Sequence, residues 1–317
     1  MFKKIGLGLL AFIGLVVVVT SFFYWSFRSS AFEALAAGSQ IADTSAGPIE
    51  YQIVGTQGPT VLVLHGTPGG YDQAVSFAGM RVLSPSRPGY LRTPLSVGST
   101  PTEQARAYAA LLDALGIDKV SVMGISGGGP SSLAFASLYP ARTSALIALE
   151  AVSQPMVIGE VQEEPPFLLQ MIAQSDFLNW AVLSLMENFM GAEGIVNMMV
   201  PNPVNRQRIL SDPEKSAQME SPVWSIWPIS QRAAGQENDI AQFASYAVEN
   251  TAIRVPALII HGTEDINVRF SHSELLAEQI AGASFQVIEG GDHMMPFSHA
   301  EEVDARIEEF LLTHNSQ

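Results

Sequence analysis

Three short apolar runs dominate the first half of the chain: residues 60–64, 81–83 and 119–123, ending at His65-Gly66, Ser84-Pro85 and Gly124. Runs that are apolar at nearly every position, rich in β-branched residues and closed by turn formers, predict strands buried on both faces. Between the second and third lies 102–115, with alanines and leucines at helical spacing and Gly116 as a stop, and 130–138 is helix-like after the third. Strand, helix, strand demands a mostly parallel sheet with helices on both faces. A fourth strand is expected at 145–151. From residue 154 to about 246 the alternation breaks, and it resumes with strand 257–260, helix 271–280, strand 284–288 and helix 301–312.

The interrupting stretch holds seven of the twelve methionines and three of the four tryptophans, with helical patterns such as 177–190. It predicts a helical lid over 154–246, inserted into a core of 48–153 and 247–317. The Met and Trp content suits either an adaptable apolar pocket or simple packing of the lid on the sheet.

Residues 5–27 carry no charge and are bounded by Lys3 and Lys4 on one side and Arg28 on the other. That length matches the roughly 20 apolar residues a bilayer core requires, and exceeds the roughly 7–15 of a signal-peptide core. The expectation is a transmembrane anchor over 1–30, with Phe22, Phe23, Tyr24 and Trp25 at the far interface and a Ser/Ala/Gly-rich linker at 31–47. The excess of lysine before the span puts the N-terminus in the cytoplasm and the remainder outside it. Secretion after cleavage near Ala34–Ala37 is the alternative. No candidate catalytic residue precedes His65, so removal of residues 1–30 is expected to leave the chemistry intact.

Composition excludes several chemistries. With no cysteine, thiolate nucleophiles, disulfides and cysteine-ligated metals are impossible. The 31 acidic against 16 basic residues, a net charge of −15, disfavour nucleic acid. No metal or organic cofactor is implied.

The segment Gly124-Ile125-Ser126-Gly127-Gly128 follows a strand and opens a helix, the context in which G-x-S-x-G presents a nucleophilic serine on a sharp turn. A phosphate loop would need a G-K-[S/T] or G-x-G-x-x-G pattern that is not there. A serine hydroxyl needs a base, and the base an orienting acid. Downstream, strand 257–260 leads into His261-Gly262-Thr263-Glu264-Asp265, and strand 284–288 into Glu289-Gly290-Gly291-Asp292-His293. Asp265 is the expected acid, with Glu264 and Asp292 as neighbouring alternatives. His293 is the expected base; His272, His299 and His314 fall at a helix start, inside a helix and in the terminal tail. For the oxyanion, the Gly127 amide supplies one donor. The loop His65-Gly66-Thr67-Pro68-Gly69-Gly70 supplies the second, from the Thr67 amide with Gly66 behind it, because Pro68 has no N–H. His65 is expected to be a hydrogen-bonded structural residue of that loop.

Taken together, His65 to Gly70, Ser86-Arg87-Pro88-Gly89-Tyr90, Gly124 to Gly128, His261 to Asp265 and Gly291 to His293 resemble the successive motifs of the α/β-hydrolase superfamily. The resemblance spans about 48–317 and implies that fold, with the lid where the insertion lies. The H-G-x-P-G-G loop and Ser230-Gln231-Arg232 with Gly235 and Asn238-Asp239 are similar to prolyl aminopeptidase-like members, although Gly127 stands where those carry tryptophan. A serine nucleophile also separates the chain from related epoxide hydrolases and dehalogenases, which use aspartate.

The expected function is hydrolysis of a small-molecule carboxylic ester through an acyl-enzyme on Ser126. An aminopeptidase is the alternative, with Glu163, Glu164, Glu187 and Glu193 as candidates for holding the substrate ammonium. A non-catalytic binding protein of the same fold is a third reading.

Overall fold

The computed structural model describes residues 2–156, 167–219 and 223–314. Eight strands form one sheet: β1 (Gln40–Thr44), β2 (Gly47–Val54), β3 (Thr60–Leu64), β4 (Arg81–Pro85), β5 (Val120–Ile125), β6 (Thr143–Leu149), β7 (Ala257–Gly262) and β8 (Ser284–Ile288). Their order is β1-β2-β4-β3-β5-β6-β7-β8; β1 and β2 are antiparallel to their neighbours and the other pairs are parallel.

The continuous apolar runs have the cause expected. Along β3, Leu62 and Leu64 face one core, with Val122 and Leu146, and Val61 and Val63 face the other, with Met123 and Ile147. The first core is roofed by α2 (Pro101–Ala114) and α3 (Gly129–Leu138), the second by α11 (Ala300–His314) through Val303, Ile307, Phe310 and Leu311. Each fully buried Val, Leu or Ile is worth about 1.5–3 kcal/mol, so a sheet covered on both sides is the strongly favoured solution. Helix α2 starts where the sequence orders it to: Pro101 takes the first position, and Thr100 and Glu103 close a reciprocal capping box.

Between β6 and β7 the chain leaves the sheet for α4 (Phe167–Gln174), α5 (Asp176–Met199), α6 (Pro203–Leu210), α7 (Pro213–Gln218) and α8 (Ala233–Ala244). This inserted segment has its own small core of Leu183, Ile195, Val196, Val200, Ile209, Met219 and Val223, against which Met294 and Phe297 pack. It therefore touches the turn that follows β8. The short α9 (Ser271–Gln279) and α10 (Met295–Ser298) complete the element order.

The N-terminus differs from expectation. Among the described residues no helix is long and apolar enough to cross a membrane, so a transmembrane anchor over 1–30, with 5–27 in the bilayer, is not supported. Instead α1 (Phe2–Ala37) continues past residue 30, and Tyr24 and Phe27 of its aromatic end pack on the insertion while Phe22, Phe23 and Trp25 stay exposed. Phe27 lies 4.9 Å from the ring of Trp227, 5.1 Å from Trp224 and 6.1 Å from Trp180. Tyr24, assigned to a membrane interface from sequence, packs at 5.1 Å on Phe177 and 5.3 Å on Trp180. Residues 31–47, expected to be a linker, hold the last turns of α1 and the edge strand β1, and the Tyr71 hydroxyl donates to the Leu35 carbonyl at 2.6 Å.

Candidate active site

The turn from β5 into α3 brings Ser126 to the carboxyl edge of the sheet with φ of 50°, a left-handed conformation that a non-glycine residue rarely adopts. Its neighbours make that turn possible. A Cβ on Gly124 would collide with the Ser132 side chain, and one on Gly128 with the Leu64 and His65 carbonyls. Small residues are thus a steric requirement at both positions.

Three expected residues meet there. Ser126 Oγ lies 3.1 Å from His293 Nε2, and His293 Nδ1 lies 2.7 Å from Asp265 Oδ2. Nδ1–H donates to the carboxylate, which leaves Nε2 to accept the serine proton. The acid is itself held: Asp265 Oδ1 accepts from the Asn267 and Val268 amides at 2.8 and 3.0 Å. His261 Nε2 donates to the Val268 carbonyl at 2.9 Å and lies 3.2 Å from Asp265 Oδ2. Burial acts to raise the Asp265 pKa, but the hydrogen bonds from His261 and His293 overcome it and hold the carboxyl well below its ordinary range. For His293, burial acts downward and the neighbouring carboxylates Glu150 and Asp265 act upward; the balance pushes it up to about 9.

The alternatives to these residues are engaged elsewhere. Glu264 accepts from Asn202 Nδ2 at 2.5 Å, and Asp292 Oδ1 accepts from the Met294 amide at 3.0 Å. His299, between α10 and α11, contacts Arg208 and Ser298, and His272 Nδ1 accepts from the Ser153 amide. His65 donates from Nδ1 to the Gly66 carbonyl and accepts the Arg87 amide at Nε2, and burial followed by the Arg87 charge keeps it neutral.

Thr67 and Gly127, the expected oxyanion donors, lie against each other: a Cβ on Gly127 would strike the Thr67 side chain. The Thr67 loop is anchored in a way not foreseen from sequence. The Thr67 hydroxyl, the Tyr90 hydroxyl and Arg87 Nη2 all donate to Asp239 Oδ2 at 2.5 Å, and Arg87 Nη1 donates to Oδ1 at 2.9 Å. Arg87, Tyr90 and Asp239 belong to stretches whose motifs were noted, yet no periodicity or spacing joins residues some 150 positions apart.

Glu150 is the other residue the sequence concealed, as the single acid in the apolar run 145–151. It follows β6 with φ of 42°, is 3% exposed, and its Oε2 lies 4.0 Å from His293 Nδ1. Burial raises its pKa to about 8. Glu150, Asp265 and His293 bring one potential ligand atom each within 4.8 Å of one another. As a metal site the group would supply three ligands, one of them the imidazole already bonded to Ser126 and Asp265.

All of this opens on a cavity of about 1530 Å³ lined by Ser126, Glu150, Met156, Met199, Phe243 and Val268 among others. Trp180, Trp224 and Trp227 are not in its wall; they pack on α1, so the tryptophans of the insertion serve packing while Met156 and Met199 serve the cavity. Glu187 and Glu193 do not reach it either, and Glu163 and Glu164 lie outside the described residues.

The family model for the alpha/beta hydrolase fold matches residues 59–300, and the chain belongs to that family of hydrolases. An uncharacterized hydrolase, YcgS, of Bacillus subtilis (strain 168) is 30% identical over 267 residues, 78% of this chain and 89% of its own. The 2-hydroxy-6-oxononadienedioate/2-hydroxy-6-oxononatrienedioate hydrolase 1 of Dechloromonas aromatica (strain RCB) is 26% identical over 299 residues, 88% of this chain and 96% of its own. Among solved structures, an alpha/beta hydrolase fold protein from Nakamurella multipartita superposes with a TM-score of 0.78 at 34% identity, over 86% of this chain and 98% of that one.

Proposed function

We propose that the protein is a serine hydrolase acting on a small-molecule carboxylic ester through an acyl-enzyme on Ser126. The observation that carries this reading is the single file Ser126 Oγ, His293, Asp265, with contacts of 3.1 and 2.7 Å, at the wall of a large cavity. His293 Nε2 takes the serine proton as Oγ attacks the ester carbonyl, then returns it to the leaving alcohol; water repeats the cycle on the acyl-enzyme. Asp265 fixes the tautomer and balances the imidazolium charge. The amides of Thr67 and Gly127 stabilise the oxyanion, where each donor is worth about 2.7–4 kcal/mol in the transition state.

The cavity supports an ester of appreciable size, since about 1530 Å³ exceeds the roughly 300–1,000 Å³ usual for small-molecule sites. An aminopeptidase finds less support, because Glu187 and Glu193 do not line the cavity. The Dechloromonas relative favours a second reading. The compound in its name has neither ester nor amide, so its hydrolysis must break a carbon–carbon bond next to a ketone. The same serine, base and acid would serve either substrate.

Labelling by a fluorophosphonate probe, abolished in Ser126→Ala, tests for an activated serine against a non-catalytic binding protein. Turnover of acyl esters of graded length, beside aminoacyl amides and a 6-oxo-dienoate, then chooses among substrates. Hydrolysis of the amides alone would sink the ester assignment.

A further inference from the structure

Glu150 is a buried titratable group that the proposed reaction does not use. Glu150 Oε2 is fully enclosed, has no hydrogen-bond partner among the described residues, and lies 4.0 Å from His293 Nδ1. Buried polar atoms are almost always paired, so an orphaned carboxyl oxygen calls for a reason. The backbone adds a second observation. A glutamate at φ of 42° sits in the left-handed region, and such strain survives where neighbouring structure over-determines it, chiefly at functional sites. Here the determinants are clear: the Glu150 amide donates to the Ile260 carbonyl of β7, and two residues on, the Val152 amide donates to the Ser126 carbonyl. The strand end is thereby pinned between the nucleophile turn and the loop that carries Asp265.

We propose that Glu150 is a second positioning carboxyl for His293, reaching Nδ1 from the end of β6 while Asp265 reaches it from the loop after β7, and able to hold the imidazole when Asp265 cannot. The proposal rests on the assignment of His293 as the base. An approach of about 1 Å brings Oε2 within hydrogen-bond range of Nδ1. The groups that face Glu150 are His293 and Asp292 from the loop after β8 and Asp265 from the loop after β7, with His261 and His272 behind Asp265. Burial above all, with the Asp265 charge adding to it, keeps the proton on Glu150 up to about pH 8, whereas its hydrogen bonds keep Asp265 ionised. Loss of Asp265 removes its share of that effect and lets Glu150 ionise at lower pH.

The test uses the full chain with a p-nitrophenyl ester, following kcat from pH 5 to 10 in wild type, Glu150→Gln, Asp265→Asn, the double variant and Ser126→Ala. Glu150 ionises near pH 8, below the His293 value of about 9, so Glu150→Gln removes a charge that is present across the acid limb and favours the imidazolium, and that limb should move to lower pH. Asp265→Asn should lose about 10–100-fold, and the double variant about 10⁴-fold, the loss seen when a triad histidine has no carboxylate. The activity left in Asp265→Asn should rise with pH as Glu150 ionises, a rise the double variant lacks. A purely structural Glu150 would move neither profile. The shift in Glu150→Gln leaves Asp265 in place and so remains a test even if Asp265→Asn folds poorly. The proposal is overturned if the Glu150→Gln profile superimposes on wild type, or if a folded Asp265→Asn is as inactive as the double variant at every pH. Full activity in Ser126→Ala would instead overturn the hydrolase assignment itself, so the two failures are distinguishable.

Discussion

The Thr67 hydroxyl donates a 2.5 Å hydrogen bond to Asp239, a residue 172 positions later in the chain. One belongs to the loop after β3 beside the nucleophile, the other to α8 of the inserted segment, and between them they tie the insertion to the oxyanion loop. Asp239 is 3% exposed and also accepts from Arg87 and Tyr90, so a single buried carboxylate organises a guanidinium and two hydroxyls.

Removing that charge should therefore cost both stability and rate. Asp239→Asn leaves the Arg87 guanidinium, 1% exposed, without its counter-charge, and breaking a buried pair in this way costs about 3–5 kcal/mol. Urea unfolding should show the loss, and kcat should fall more than KM rises because the Thr67 loop is loosened. A variant as stable as wild type would refute the anchoring role.

Ser126→Ala and His293→Ala should each lower kcat by about 10⁴–10⁶, and the double variant should be no worse than either. His299→Ala, whose side chain contacts Arg208 and Ser298, should change little. If the two histidine variants behaved the other way round, the base would be misassigned.

The pH profile follows from the raised pKa of His293. Only the neutral imidazole accepts the serine proton, so activity is lost as pH falls through the folded-state pKa, which neighbouring carboxylates push up to about 9. The acid limb of kcat/KM should lie above 6.5, the ordinary histidine value, and a midpoint at or below it would contradict the electrostatics.

Deleting residues 1–37, which reaches beyond the 1–30 expected to be dispensable for the chemistry, should cost stability. It strips Tyr24, Phe27 and Phe32 from Trp180, Trp224 and Trp227, and aromatic pairs contribute about 0.5–1.5 kcal/mol each beyond the area they bury. Tryptophan emission should shift to the red and thermal unfolding to lower temperature. Unchanged emission would mean that the helix and the insertion are independent.

Local pattern was enough for the parallel core, because a strand buried on both faces must be apolar throughout and a helix between strands must start and stop at recognisable residues. Thr60–Leu64 and the capped α2 were legible for that reason. So were Ser126, Asp265 and His293, whose positions follow from strand ends and glycines close by in the chain. The antiparallel strands β1 and β2 were not, since their half-exposed residues carry little apolar signal. The fate of the N-terminal apolar run was likewise beyond the sequence. An uncharged stretch fits a bilayer and a wall of tryptophans equally well, and only tertiary packing decided that Tyr24 and Phe27 meet the insertion. Glu150 and Asp239 acquire their surroundings the same way: a carboxylate's environment is set by whichever distant elements close over it, here β7 and the loop after β8 for one, and the turns carrying Thr67 and Arg87 for the other.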